Sequence, residues 1–351
     1  MIRLLTILLV AVLLFSSVAA VVYAASGGVT GSGKGGNTAP TIEAVILVSA
    51  SDDTEVTAMT PLSPYRVKVT AGDINTIDDI QYIVFKVYYG TTGASWDADD
   101  NAIFKWDKDG SPEWTMENGG ATTSWEIVTI DCVAPSDLSG TTGDWYLKFK
   151  PGTLAQQTDA QDWKCNATAY DENKNGTGAW ATGATLAAYS AVDFDDGTGV
   201  SIGRITLGDA TAGIEPGSTG YITDTAGNGL TVQVTTNSTY ALGVQTEATW
   251  SDGGSNTITL NEAGSADLGP GEFALEIDNE EQGDPGQPKS PVAVTSSSAT
   301  ILGFESKPRV TTSQSAPEGT SDAVIYMALS FATEGIQEVT YSGTITFTVT
   351  N

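Results

Sequence analysis

Apolar residues at every second position recur along most of this chain, and no other feature restricts its fold as strongly. In "YRVKVTAGD", Tyr65, Val67 and Val69 alternate with Arg66, Lys68 and Thr70; in "IVFKVYYG", Ile83, Phe85, Val87 and Tyr89 alternate with Val84, Lys86 and Tyr88. Trp145, Leu147 and Phe149 alternate with Tyr146, Lys148 and Lys150, and Ile345, Phe347 and Val349 with Thr346, Thr348 and Thr350. A period of two puts successive side chains on opposite faces of a pleated strand and buries one face. Helical spacing is almost missing. Turn clusters such as "DADDN", "DKDGSP" and "SGTTGD" separate the runs. The pattern predicts an all-β protein built of antiparallel β-sandwiches, immunoglobulin-like or jelly-roll-like, rather than a parallel sheet with crossover helices.

The N-terminal stretch departs from this pattern. Residues Leu4 to Ala25 are apolar apart from Thr6, Ser16 and Ser17, and they follow Arg3. Residues 1–25 therefore read as an export signal, either removed at the small residues Ala24 and Ala25 or kept as a membrane anchor, since about 20 apolar residues span a bilayer. Both outcomes place the remainder outside the cell or on its surface. Residues 26–40 form a Gly/Ser-rich flexible linker. The chain beyond residue 40 exceeds one compact core, which predicts two domains. A break at "AYSAVDFDDGTG" separates a Trp-rich part, 41–188, from an acidic part, 189–351, and seven of the eight Trp precede it. The loop at 277–291 is acidic and Pro/Gly-rich, so it reads as an exposed excursion.

Charge and missing residue types limit function. Lys and Arg number 15 against 43 Asp and Glu, a net charge of −28, which repels nucleic acid and anionic lipid and attracts cations. His is absent, so imidazole triads, His bases and His-ligated zinc are excluded. Cys132 and Cys165 are the only thiols, too few for a Cys-only metal centre. In an oxidising exterior they are expected to form one disulfide closing a loop of about 33 residues, worth about 3 kcal/mol; two buried thiols are the other arrangement.

Two stretches carry resemblances. The segment from "APTIEAVILVSASDDTEV" to "DDIQYIVFKVYYG", with "WYLKFKPG" and "DWKCNATAYDENKNGT", resembles immunoglobulin-like modules of archaeal secreted and cell-surface proteins. The later part, with "VSIGRITLG", "GNGLTVQVTTNSTYAL" and "YSGTITFTVT", resembles WxL-like surface β-sandwiches and, more loosely, pilus and matrix-fibre subunits that close with a Thr-rich strand. Phe347 stands where the WxL class has a terminal-strand Trp, so the resemblance implies architecture and not peptidoglycan binding.

Candidate sites are acidic or aromatic. "DENKNG" places Asp171, Asn173 and Asn175 at alternate positions before Gly176, like the first half of a calcium loop, but Thr182 occupies the twelfth position where a bidentate Glu is required. The same residues make an Asn-Gly hairpin turn. "WDADDNAIFKWDKDGSPEW" gathers Asp97, Asp99, Asp100, Asp107 and Asp109 around Trp96, Trp106 and Trp114. It reads as a cation site, as a platform on which Trp faces stack on sugar rings, or as solvated acids beside a Trp-capped sandwich edge. Asp193 and Asp195 in "DFDDGTG" pose the cation question at the domain break. Asn166, Asn175 and Asn237 lie in Asn-x-Ser/Thr sequons. No carboxylate pair stands out for glycoside hydrolysis.

The first strand beyond the linker, "TIEAVILVS" at Thr41 to Ser49, is apolar through its middle and pairs either in cis or with an edge left open by another copy. These features together predict a non-enzymatic structural protein of a cell-surface layer, filament or matrix, with calcium as its candidate cation. Its expected partners are copies of itself or other surface proteins, with no nucleic acid, and it would meet the membrane only through residues 1–25. A surface-anchored module binding polysaccharide through Trp96, Trp106 and Trp114 is the alternative.

Overall fold

The computed structural model describes residues 36–90, 100–117, 125–283, 285–301, 303–309 and 321–351. The segment 1–25, linker residues 26–35, Trp96, Asp97 and Asp99 lie outside the described residues. The chain is all-β, and its short helical pieces are single 3₁₀ turns such as Ile77–Asp79. Thr38–Asn351 forms one compact unit. Among the described residues no helix is long and apolar enough to cross a membrane.

Eleven strands occupy the first part of that unit: β1 (Thr41–Ser49), β2 (Ala58–Met59), β3 (Tyr65–Gly72), β4 (Tyr82–Tyr89), β5 (Asn101–Asp107), β6 (Trp114–Met116), β7 (Glu126–Ile127), β8 (Thr142–Lys150), β9 (Thr158–Tyr170), β10 (Asn175–Ala179) and β11 (Ala184–Leu186). They make a sheet in the order β1-β3-β8-β7 and a second in the order β2-β11-β9-β4-β5-β6, with β10 added to β9. The alternation does what it predicts: Val67, Val69, Ile83, Phe85, Val87, Trp145, Leu147 and Phe149 are fully buried between the sheets. β1 pairs with β3 along its whole length, Thr41 opposite Gly72 and Ser49 opposite Tyr65, so this strand lies in cis.

Eleven more complete the unit: β12 (Ser190–Asp195), β13 (Thr219–Tyr221), β14 (Leu230–Thr236), β15 (Ala241–Thr246), β16 (Thr249–Ser251), β17 (Thr257–Leu260), β18 (Glu272–Asp278), β19 (Val292–Ala293), β20 (Ala299–Thr300), β21 (Ser321–Phe331) and β22 (Ile345–Thr350). The path β12-β14-β21-β18-β17-β16 makes a broad sheet, and β20-β15-β22 a narrow one. Their facing residues, including Val232, Leu242, Ile258, Phe273 and Met327, form a second hydrophobic core. Pairing is antiparallel except for two short parallel contacts, β11 with β2 and β17 with β18.

The junction is polar and buried. Arg309 donates from Nη1 to Asp100 Oδ1 at 3.0 Å and to the Leu154 carbonyl at 2.9 Å, and Asp100 also accepts the Gln156 N–H. Asn237, fully buried, accepts the Tyr189 N–H at 2.8 Å and donates to the Ala187 carbonyl at 3.1 Å. These contacts fix one end of the second sandwich against the first, with Thr236, Ala241 and Thr350 at that end and Leu230, Thr246 and Ile345 at the other.

Two expectations are corrected. Cys132 and Cys165 are free thiols. Cys165 sits on β9 opposite Val87, in the core, whereas the Cys132 sulfur lies at the β8 edge of the other sheet and accepts the Lys148 N–H. Burial pushes the Cys165 thiol up to about 12 and the Cys132 thiol to about 11, so both stay protonated at neutral pH. Asn237 cannot carry a glycan in this fold, because its amide nitrogen is buried in the junction; among the sequons, Asn166 is half-buried and Asn175 exposed.

Candidate functional site

The acidic turns mostly satisfy their own backbone. Asp171, 6% exposed, accepts the N–H groups of Asn173 and Lys174 through Oδ1, which closes the hairpin between β9 and β10, where Asn175 faces Tyr170. Its Oδ2 is buried without a partner. Asp107 accepts from Lys105 at 2.6 Å and from the Asp109 N–H, and both causes hold its carboxyl below the usual range. Asp193 accepts the Ser201 hydroxyl; Asp195 accepts the Gly197 N–H and Gln233 Nε2. Asp100 is taken up by Arg309. Among the described residues no three acidic or thiol side chains converge on a metal-sized point.

The aromatic platform is corrected. Trp106 is 2% exposed and Trp114 7%; they face each other across β5 and β6, and Trp106 packs on Trp145 with ring centroids 5.4 Å apart. Phe85 lies 5.6 Å from Trp114. Both indoles belong to the core, because Trp106 continues the buried face of Ala102 and Phe104. Neither offers a face to a sugar ring.

A different feature is open to solvent. In the second sandwich a cleft of about 600 Å³ lies between the irregular segment Ile202 to Leu207 and the approach to β22 from Thr340 to Phe347. Its floor is apolar: Leu230 and Met327 on the broad sheet, Trp250 at one end and Phe194 at the side. Gly343 lies flat on the Trp250 indole, so close that a Cβ there would sit 2.1 Å from Cδ1, and the indole N–H is anchored by Thr246 Oγ1 at 3.0 Å. Among the described residues, Arg204 is the one charged member of the lining.

The cleft exists because β22 is an edge. Among the described residues β22 pairs with β15 alone, with Thr246 opposite Ile345, Val244 opposite Phe347 and Leu242 opposite Val349. Directly opposed residues share a face. On β15 those positions are buried, but on β22 Ile345, Phe347 and Val349 remain half-buried, since no described strand flanks them on the far side. β12 likewise pairs with β14 alone among the described residues, and its inward Val192 and Phe194 are half-buried. Phe194 and Phe347 meet across the seam with centroids 5.3 Å apart. Among the described residues the narrow sheet ends at β22, with an apolar floor beside that edge.

The sequence marks Ile345 and Phe347 as one face of a strand and does not single out this cleft. The half-polar alternation of "TITFTVT" looks the same whether or not a neighbour flanks the strand. The chain matches no protein-family model, and no curated protein matches it.

Proposed function

We propose that this protein is a non-enzymatic extracellular structural subunit, which assembles with copies of itself into a cell-surface filament, layer or matrix. The cleft beside β22 carries the reading. An edge strand with an apolar floor is a template for strand addition, main-chain hydrogen bonds supplying affinity and alternate side chains filling the floor. Among the described residues its lining holds one Arg and no carboxylate or thiol, which suits an apolar polypeptide segment better than a reacting substrate. The export-like N-terminus and the acidic surface fit an extracellular place. Calcium enters the reading only through Asp171, whose second carboxylate oxygen is buried and unpartnered.

The test is sedimentation and negative-stain electron microscopy of the exported protein over a concentration series, with and without a calcium chelator. Ordered polymers are expected. The Ile205→Glu variant, which places a charge in the half-buried wall of the cleft, should lose them while keeping its melting temperature. A wild-type chain that stays monomeric throughout sinks the reading. Polymers that dissolve with chelator, and form less readily in Asp171→Ala, would add calcium to it.

A further inference from the structure

The first sandwich presents a modification site far from the cleft in sequence and in sheet. We infer that Asn175 carries an Asn-linked glycan, and that the first sugar of this glycan packs on the free face of the Tyr170 ring. The site lies in the first sandwich and the cleft in the second, so the inference does not depend on assembly.

The fold treats the sequons differently. The Asn237 amide is taken up by the Ala187 carbonyl in the junction. Asn166 lies in the middle of a sheet, between Ala179 on β10 and Lys86 on β4, and its amide is hydrogen-bonded to the Tyr88 hydroxyl. Of the three, Asn175 is the exposed one. It opens β10 just past the turn that Asp171 closes, and its sequon reads Asn-Gly-Thr for a physical reason. Gly176 and Gly178 turn toward the start of β1, where a Cβ would sit 1.9 Å from the Pro40 carbonyl oxygen and 2.4 Å from Ile42 Cγ2. Asn175 and Thr177 therefore turn the other way, to the outer face, where the Thr177 and Thr168 hydroxyls meet at 3.0 Å.

That outer face supplies the platform. Asn175 lies directly opposite Tyr170, Tyr170 opposite Tyr82, and Tyr82 opposite Asp107, in one row across the sheet. The Tyr170 and Tyr82 rings stack with centroids 4.5 Å apart and planes 17° from parallel. Strands lie about 4.8 Å apart, so the rings stand upright on the sheet and face each other along the row. From β5, Lys105 Nζ covers Tyr82 at 4.6 Å from its centroid. Tyr170 is half-buried, and its other face looks along the same row toward β10; among the described residues no ring or cation stacks on it there.

A tyrosine reaches farther from a sheet than an asparagine, so this ring face stands beside the place where a sugar joined to Asn175 Nδ2 begins. The C–H face of a pyranose is apolar and weakly positive at its hydrogens, and it packs on the negative face of an aromatic ring while its hydroxyls stay in water. The modification joins Asn175 Nδ2 to the anomeric carbon of a sugar carried on a lipid-linked glycosyl phosphate. The bond from that carbon to the phosphate oxygen breaks, the phosphate leaves with the electron pair, and Nδ2 gives up one proton. Among the described residues β10 pairs with β9 alone, so it is an open edge as well. A bulky solvated group on such an edge blocks pairing with another chain.

The experiment uses the full chain exported from a host that glycosylates Asn-x-Thr sequons, read by peptide mass mapping and by denaturant unfolding. A glycan mass is expected on the peptide holding Asn175 and none on the peptide holding Asn237. Asn175→Gln, which removes the acceptor at an exposed position, should raise the unfolding constant by about two- to tenfold. The same substitution should change nothing in a Tyr170→Ala background and should keep its full effect in Tyr170→Phe, which retains the ring face. In protein from a host that does not glycosylate, Asn175→Gln should be silent in every background. An unmodified Asn175 in the glycosylating host overturns the proposal. A glycan at Asn175 whose loss costs as much in Tyr170→Ala as in the wild type overturns it too, because the sugar then does not rest on the ring. Both results leave the assembly reading as it stands.

Discussion

The two sandwiches follow one alternation rule and end in different states. In the first, Trp125 packs between Phe149 and Trp163, with centroids 5.9 and 5.5 Å away, and every Trp described in that part is 7% exposed or less. Its core is closed. In the second, the central strands are as well buried, yet the inward residues of β12 and β22 stay half in water. Alternation specifies which face of a strand turns inward; whether another strand arrives to cover that face is a separate matter, settled by partners far away in sequence or in another molecule.

The closed core should be the easier of the two to break. Trp163 is 1% exposed and its indole N–H donates to the Gln156 carbonyl at 2.8 Å. Trp163→Ala should lose about 3–5 kcal/mol in denaturant unfolding. Trp145 offers a contrast at equal burial, since its N–H has no partner. Trp145→Phe should therefore be milder than Trp163→Phe, which strands a buried carbonyl at a cost of about 1–3 kcal/mol.

Whether the two regions unfold together depends on the junction. Asp100→Ala leaves the Arg309 guanidinium without its buried carboxylate and should cost about 3 kcal/mol, separating one unfolding transition into two. Replacing both residues, Asp100→Leu with Arg309→Met, should recover much of that loss. A single unchanged transition in Asp100→Ala would show that the pair does not couple the sandwiches. Smaller again is Gly343→Ala, expected to cost about 1–3 kcal/mol because its methyl group must displace the Trp250 ring from the end of the cleft. Loss of polymers alongside that destabilisation would tie the shape of the cleft to assembly.

Alkaline pH separates the regions differently, because both thiols lie in the first. Below pH 9 the Cys165 thiol is protonated in the folded and the unfolded chain alike. Above it, the unfolded chain releases a proton that the folded chain keeps until about pH 12. Stability should then fall by about 1.4 kcal/mol per pH unit from this one group. Cys165→Ala should show a slope shallower by that amount between pH 10 and 11, where the unfolded thiol is almost wholly ionised and the folded one still protonated, whatever its effect on absolute stability. Equal slopes would show that the thiol is not held protonated by burial.

How far the sequence carries can be read from particular residues. Strand faces were legible: Val67, Phe85 and Leu147 fall where the period puts them. Trp106 was legible too, since Ala102, Phe104 and Trp106 keep the period of two, but a cluster of nearby Asp residues made the same stretch read as a surface site. Asn237 gave no local signal, because its burial comes from Tyr189 and Ala187 in the crossing between sandwiches. The cleft was the least legible feature. It depends on β22 having no second neighbour among the described residues, and an uncovered edge leaves no mark on the alternation of the strand itself.

The smallest expected effect is the one that bears most directly on this difference. Phe347 has the position and size of a core aromatic, opposite Val244 and against Phe194, and in a closed sandwich its removal would cost as much as that of a buried Phe, about 3–5 kcal/mol. Here it is half-buried and borders the open cleft, so its loss leaves no sealed cavity and forfeits only part of its transfer energy. For the isolated subunit, Phe347→Ala should cost about 1 kcal/mol. If an incoming strand completes the core, the same substitution measured on assembled protein should cost visibly more, because Phe347 is then covered on both sides. A value near ~1 kcal/mol in both states would mean that nothing packs on Phe347 when copies meet. A full core-sized loss in the isolated subunit would mean that the second sandwich is already closed in solution.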